Sequence, residues 1–197
     1  MSGPSVPRNV PLHVELEQRQ RELAMLRQLA TVMAETRDPR LLLETIVSET
    51  TTATGTQVCS VYLWDESEQT LVLRATNGLS TAGIGVAKLG LGEGITGWVA
   101  QRQQPLAVRD VSHDPRFKWV PEVDQEQLKS MLSVPIVALG RLIGVINVQT
   151  ERPWSFTDAE VNFLSVLAAQ IAGIVDFSRL ADELNRLGSS TSHTPDA

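Results

Sequence analysis

Two long amphipathic segments frame this chain, and between them lies a series of short strands joined by tight turns. Near the N-terminus Leu12, Leu16, Leu23, Leu26, Ala30 and Met33 recur at steps near three and four, with Arg19 as a polar intruder. That spacing makes a heptad-like apolar seam, with Glu, Gln and Arg filling most positions between. Near the C-terminus Val161, Leu164, Leu167, Ala168, Ile171, Ile174 and Val175 do the same, continuing through Leu180, Leu184 and Leu187. About three heptads of N-terminal seam are too few for a free-standing coiled coil, so that helix needs a partner. Leu16, Leu23, Leu26, Leu180 and Leu184 are therefore expected to form a helical dimer face. Strands joined by hairpins and flanked by helices predict an α+β fold, a mostly antiparallel sheet with helices segregated on its faces.

Local signals place the elements. Asp38-Pro39 reads as an N-cap followed by proline at the first helical position, and Gly55 ends that helix. Gln57–Trp64 and Thr70–Thr76 alternate like strands across the Asp65–Glu68 link. A short strand is expected at Val86–Leu89, a short helix around Trp98, and another strand at Pro105–Arg109. A turn of helix is expected near Asp124–Lys129. Ser130–Ala138 and Leu142–Gln149 form an apolar hairpin across Leu139-Gly140-Arg141. Thr157-x-x-Glu160 is the reciprocal N-terminal box that opens the last helix. The expected organisation is a flexible arm (1–11), an N-terminal helix (12–37), a domain (38–178), a helical extension (179–187) and a disordered tail (188–197).

Composition excludes several functions. The 17 basic and 23 acidic residues give a net charge of −6, so no cationic excess is present to neutralise phosphates, and nucleic-acid binding is not expected. The single cysteine, Cys59, rules out an internal disulfide or a thiolate-rich metal site. No secretory signal and no uninterrupted apolar run of membrane-spanning length is visible, which points to a cytoplasmic protein.

Motifs that could carry chemistry favour bland readings. Gly92-Glu93-Gly94-Ile95-Thr96-Gly97 matches the G-x-G-x-x-G dinucleotide pattern. The helix after it is too short for a crossover, however, so tight turns beside a pocket explain the glycines better. Asp110-x-x-His113-Asp114 reads as a carboxylate turn ahead of Pro115 rather than a metal site. Cys59 sits mid-strand, where a buried inert thiol is the expectation. The pairs Glu122/Asp124 and Asp158/Glu160 fall in loop or cap positions. No convergent acid, base or nucleophile is visible, and the chain is not expected to be an enzyme. Trp98, Trp119 and Trp154 fall in or beside loops and short helices, where rings suit a ligand pocket.

A set of blocks in fixed order resembles the GAF domain family: Gly92-Glu-Gly-Ile-Thr-Gly-Trp-Val-Ala, Pro105-Leu-Ala-Val-Arg-Asp-Val, His113-Asp-Pro-Arg-Phe, Ser130-Met-Leu-Ser-Val-Pro-Ile, Leu142-Ile-Gly-Val-Ile-Asn-Val and Phe156-Thr-Asp-Ala-Glu. The resemblance runs from about Pro39 to Ser178. It implies a central antiparallel sheet of about six strands, with the first and last helices on one face and a pocket on the other. It also implies a sensory or regulatory module that signals through its terminal helices to a separate partner protein, as a homodimer. The alternative is a dimerisation or interaction module with an empty pocket. By the same resemblance the pocket residues would be Tyr62, Trp98, Asp110, Phe117, Met131, Ser133 and Asn147, and the ligand a small molecule of unknown identity. Cyclic-nucleotide members carry an Asn-Lys pair where this chain has Asn147-Val148. Bilin attachment needs a cysteine ahead of the Ser130 strand, and none is there. Haem-binding members place a histidine where Gln125 stands, and thiol-dependent sulfoxide reduction needs several cysteines.

Overall fold

The computed structural model describes residues 38–123 and 127–190, with nine further helical positions between His13 and Thr31, and side chains as far as Asp176. Helix α1 (Pro39–Thr54) starts where Asp38 accepts a hydrogen bond from the Arg40 amide (2.9 Å) and ends at Gly55, whose φ of 67° only glycine adopts readily. Strands β1 (Val58–Asp65) and β2 (Thr70–Asn77) follow, then β3 (Lys88–Leu89), helix α2 (Gly94–Arg102) and β4 (Leu106–Val108). Strands β5 (Ser130–Ala138) and β6 (Arg141–Thr150) precede helix α3 (Asp158–Ser190). Single helical turns lie at Thr81–Gly83, Val111–His113 and Pro121–Val123. The turn expected near Asp124 falls partly outside the described residues. Helix α3 runs past Gly188, where a disordered tail is expected from the sequence.

The six strands pair antiparallel throughout, in the order β3-β2-β1-β6-β5-β4. Period-two alternation divides their side chains between two cores. One face carries Cys59, Val61, Ala75, Leu132, Val134, Ile136, Ile146 and Val148 beneath Leu42, Leu43, Ile46 and Val47 of α1 and Leu164, Leu167 and Ile171 of α3. The other carries Val58, Tyr62, Leu71, Leu73 and Val145 beneath Val99 and Ala100 of α2 and the connecting segments. Residues Asp158–Asp176 are apolar and long enough to cross a membrane by composition. Here that apolar face covers the sheet. The reciprocal box at its start forms: Glu160 Oε2 accepts from the Thr157 amide (2.7 Å), and Thr157 Oγ1 accepts from the Glu160 amide (3.3 Å).

Strand β4 covers only Met131–Ser133 of β5, leaving the rest of that strand as an open edge. Pro135 and an irregularity at Ile136/Val137 interrupt this edge, which discourages another strand from adding there. The β5–β6 turn has two residues rather than the expected three, because Arg141 already pairs with Ala138. Both turn residues have positive φ, Leu139 at 49° and Gly140 at 75°. That pattern suits glycine, asparagine or aspartate, and a leucine there costs about 1 kcal/mol of backbone strain.

Contacts orient the helices along the sheet. Asn77 donates to Thr51 (2.6 Å) near the end of α1, and Ser130 accepts from the Trp154 amide (2.6 Å) just ahead of α3. Arg141 pairs with Asp176 (3.0 Å) at the opposite end. Helix α1 therefore begins, and α3 leaves the sheet, at the end that carries the β1–β2 and β5–β6 hairpin tips.

Candidate functional site

The face opposite α1 and α3 holds a small cleft. Its floor is Ser60 and Tyr62 of β1, Met131 of β5, and Asn147 and Gln149 of β6. Its wall is the start of α2 (Gly94, Ile95, Thr96) with Leu89, and its cover is Phe117, Lys118 and Val120 of the segment between β4 and β5. About 20 Å³ of the interior is open to the centre of a water molecule, room for roughly one ordered water. As it stands, the cleft is small and partly open to solvent.

Asn147 is the hub of a buried polar network. Its Oδ1 accepts from the Ser133 hydroxyl (2.6 Å), and its Nδ2 donates to Thr96 Oγ1 (3.1 Å) and, at 3.5 Å, to Ser60 Oγ. The network joins β1, β5, β6 and α2 beneath the cleft.

Two neighbouring groups are left over. Tyr62 and Gln149 are each 2% exposed. Among the described residues no hydrogen bond reaches the Tyr62 hydroxyl, and the Gln149 side chain has only the Met131 sulfur, at 3.8 Å; both reach the cleft, and the one fully enclosed polar side-chain atom without a partner lies elsewhere, at Thr70 Oγ1. Burial, reinforced by the nearby Glu122 carboxylate, pushes the Tyr62 phenol well above its ordinary pKa, so it stays a neutral donor.

The glycine pattern around α2 serves this wall. Gly92 and Gly94 have φ of 78° and 66°. A methyl group on Gly97 would lie 2.2 Å from the Gly90 carbonyl oxygen. The motif thus folds a tight loop against a short helix, in keeping with turns beside a pocket. Glu93 closes that loop by accepting from the Gly90 amide (2.7 Å) and pairs with Lys118 of the cover, and both contacts hold its carboxyl below the ordinary range.

A second fastening lies beside it. Asp114 takes both Nε (2.8 Å) and Nη2 (2.6 Å) of Arg116, whose guanidinium lies 5.0 Å from the Trp98 ring centroid. Arg116 holds the Asp114 carboxyl below its ordinary pKa. The covering segment is therefore clamped to α2 at two points.

Of the seven residues expected at the site, the cleft gathers Tyr62, Phe117, Met131 and Asn147. Ser133 lies one step behind, bonded to Asn147. Trp98 and Asp110 lie outside the lining of this cleft. Trp98 supports Arg116 from α2, and Asp110 caps the Val111–His113 turn, accepting from the Ser112 amide (3.1 Å) and lying 3.0 Å from His113 Nδ1. Which way a loop residue points depends on packing that the sequence does not display. Ser60, Thr96, Lys118 and Gln149 are lining residues that sequence reasoning missed, although Ser60 and Gln149 lie two positions from Tyr62 and Asn147 on the same strand faces.

Cys59 lies on the helix-covered face, fully buried, with its thiol pushed up to about 12 by desolvation. Among the described residues no three His, Cys, Asp or Glu side chains gather as a metal site. Leu16 and Leu23 of the expected dimer face are 59% and 55% exposed. Leu26 lies outside the described residues, as do the side chains of Leu180 and Leu184 on α3.

Known proteins share this arrangement. The chain is 35% identical over 160 residues to the phosphoenolpyruvate-dependent phosphotransferase system protein of Escherichia coli (strain K12), covering 80% of this chain and 21% of that protein. It is 33% identical over 129 residues to the Nif-specific regulatory protein of Azospirillum lipoferum, covering 62% of this chain and 20% of that one. The chain thus spans about a fifth of the length of these curated relatives. The GAF domain of a phosphoenolpyruvate-protein phosphotransferase from Coxiella burnetii superposes with a TM-score of 0.78 at 27% identity, over 83% of this chain and 98% of that one. The GAF domain pattern matches residues 38–175, and with the antiparallel sheet, the helices on one face and the cleft on the other, this chain belongs to the GAF domain family.

Proposed function

We propose that this chain is a non-enzymatic sensory module of the cytoplasm that binds a small polar ligand in the cleft. It signals through its terminal helices, as a homodimer, to a separate partner protein. The observation that carries the reading is a pair of polar groups on the cleft floor, Tyr62 and Gln149, that face the cleft with no good protein partner. Both groups face the cleft and lack good protein partners, so a ligand that bonds them would take the place of water there. The likeness to a Nif-specific regulatory protein supports a regulatory role.

Strand β6 is the natural route for the signal. Asn147 and Gln149 point to the cleft, while Ile146 and Val148, alternating with them, lie among the core residues shared with α3. A ligand larger than water requires the cover to lift, since the interior holds roughly one water. Contacts made only in the liganded state would then bias the position of α3.

Thermal unfolding against a panel of metabolites tests the sensor. A ligand present at a hundredfold its dissociation constant adds about 2.7 kcal/mol and raises the midpoint. Replacing Tyr62 with Phe and Gln149 with Leu together should abolish that rise while leaving the unliganded midpoint in place. If no metabolite moves the midpoint, the small size of the cleft favours the second reading, a dimerisation module with an empty pocket. Light scattering of Leu23→Glu/Leu26→Glu tests the dimer: the mass should halve, and an unchanged mass would remove these helices from the interface.

A further inference from the structure

We propose that the β5–β6 hairpin tip, with Leu139 at its apex, is a contact surface for a second copy of this chain. The tip would pack beside the base of that copy's helical overhang.

The first argument is local. Leu139 is 89% exposed, the most exposed of the large apolar side chains described. Its φ of 49° lies in the left-handed region, which disfavours a branched aliphatic side chain and suits asparagine or glycine. A methyl added to neighbouring Gly140 would meet nothing within 4 Å, so the tip stands clear of its own domain. One residue thus breaks two rules, apolar exposure and backbone preference, and no contact among the described residues of its own subunit compensates. Such uncompensated violations concentrate where a protein meets something else.

The second argument is position, and it selects the occupant. Arg141, two residues on, pairs with Asp176 (3.0 Å), so the tip sits where α3 leaves the sheet. Residues 177–190 of that helix run about 21 Å beyond this point. The sequence places Phe177, Leu180, Leu184 and Leu187 there at steps of three and four. Helix α1 also begins at this end, so the 12–37 segment with its own apolar seam joins the domain here. Two such overhangs lying parallel would set both hairpin tips level with the base of the helical pair. The contact would be the same patch from each subunit, as a two-fold dimer demands.

This inference rests on the homodimer part of the functional reading and not on any ligand. The test is the full-length Leu139→Asn variant, followed by sedimentation and mass photometry across concentration. Losing the apolar tip should raise the dimer dissociation constant roughly tenfold. The urea midpoint of the diluted monomer should stay the same or rise, because asparagine accepts the left-handed backbone. Leu139→Gly should behave alike if the asparagine variant expresses poorly. An unchanged dissociation constant would overturn the proposal, as would a lower monomer midpoint in both variants, which would make Leu139 a support of its own fold. If Leu139→Asn has no effect while Leu23→Glu/Leu26→Glu yields a monomer, only the hairpin contact fails. A wild-type chain that is monomeric at every concentration would remove the dimer reading with it and leave the metabolite test standing.

Discussion

Asn147 and Gln149 are two residues apart on one strand face, yet the structure treats them oppositely. Asn147 is fully engaged, and removing its amide would strand Ser133 and Thr96 in the interior. Asn147→Leu should therefore cost about 2–4 kcal/mol in urea unfolding, the sum of lost bonds and orphaned partners. Gln149 has only a long contact to sulfur, so Gln149→Leu should be neutral or slightly stabilising. Equal large losses in both variants would show that Gln149 is structural and weaken the ligand reading.

Cys59 gives a second test at this scale. Burial raises its pKa to about 12, so the neutral thiol persists through the range where an exposed cysteine ionises. A disulfide reagent near pH 8 should leave the native chain unmodified and react once it is unfolded. Because the folded pKa lies above the unfolded one, this group favours the native state at neutral pH. That contribution fades only as pH rises from about 9 toward 12.

At the scale of elements, the segment covering the cleft is held by carboxylates. Asp114 and Glu93 both ionise below their ordinary range, so the detached segment binds more protons than the fastened one within that window. Their contribution is present above about pH 4 and is lost as pH falls through the depressed values. The Glu93–Lys118 pair crosses to α2 but is about half exposed and contributes little, whereas the better-buried Asp114–Arg116 pair lies within the segment and acts by holding the guanidinium over Trp98. Hydrogen exchange, corrected for intrinsic rates, should show protection around 111–118 falling toward about pH 3. Asp114→Asn should show that loss already at neutral pH. Protection unchanged by either would mean that apolar packing of Phe117 and Val120 holds the cover alone.

Helix α2 is the other element with a sharp test. Gly97→Ala would push a methyl against the Gly90 carbonyl, and backbone cannot move aside cheaply. A loss of about 2 kcal/mol or more is expected in urea unfolding, with Asn147 losing its Thr96 contact. A loss comparable to an ordinary surface substitution would mean that the loop relaxes more freely than its geometry implies.

At the scale of the whole molecule, the sheet and its two cores should fold without the chain that frames them. Residues 38–178 contain every described strand, the core clusters on both faces of the sheet and the cleft. A fragment of that span should unfold in one cooperative step and sediment as a monomer, because the helical seams lie outside it. A fragment that aggregates or melts broadly would show that the terminal helices complete the fold as well as the dimer.

Much of the framework was legible because it is set by neighbours in the chain. Asp38, Gly55 and the Thr157–Glu160 box mark helix ends through bonds spanning two to four residues. Strand alternation reports which residues share a face, since the side-chain period is a property of the extended backbone. Hence the hairpins and a mostly antiparallel sheet were readable from the residues, while the placing of both helices on one face came only as what the family resemblance implies. What tertiary structure decided lies where distant segments meet. It turned Trp98 toward Arg116 and Asp110 onto its own turn, and it left Tyr62 and Gln149 without proper partners. It also brought Leu139 beside the exit of α3. None of these has a local signal, because each depends on which surfaces the fold happens to press together.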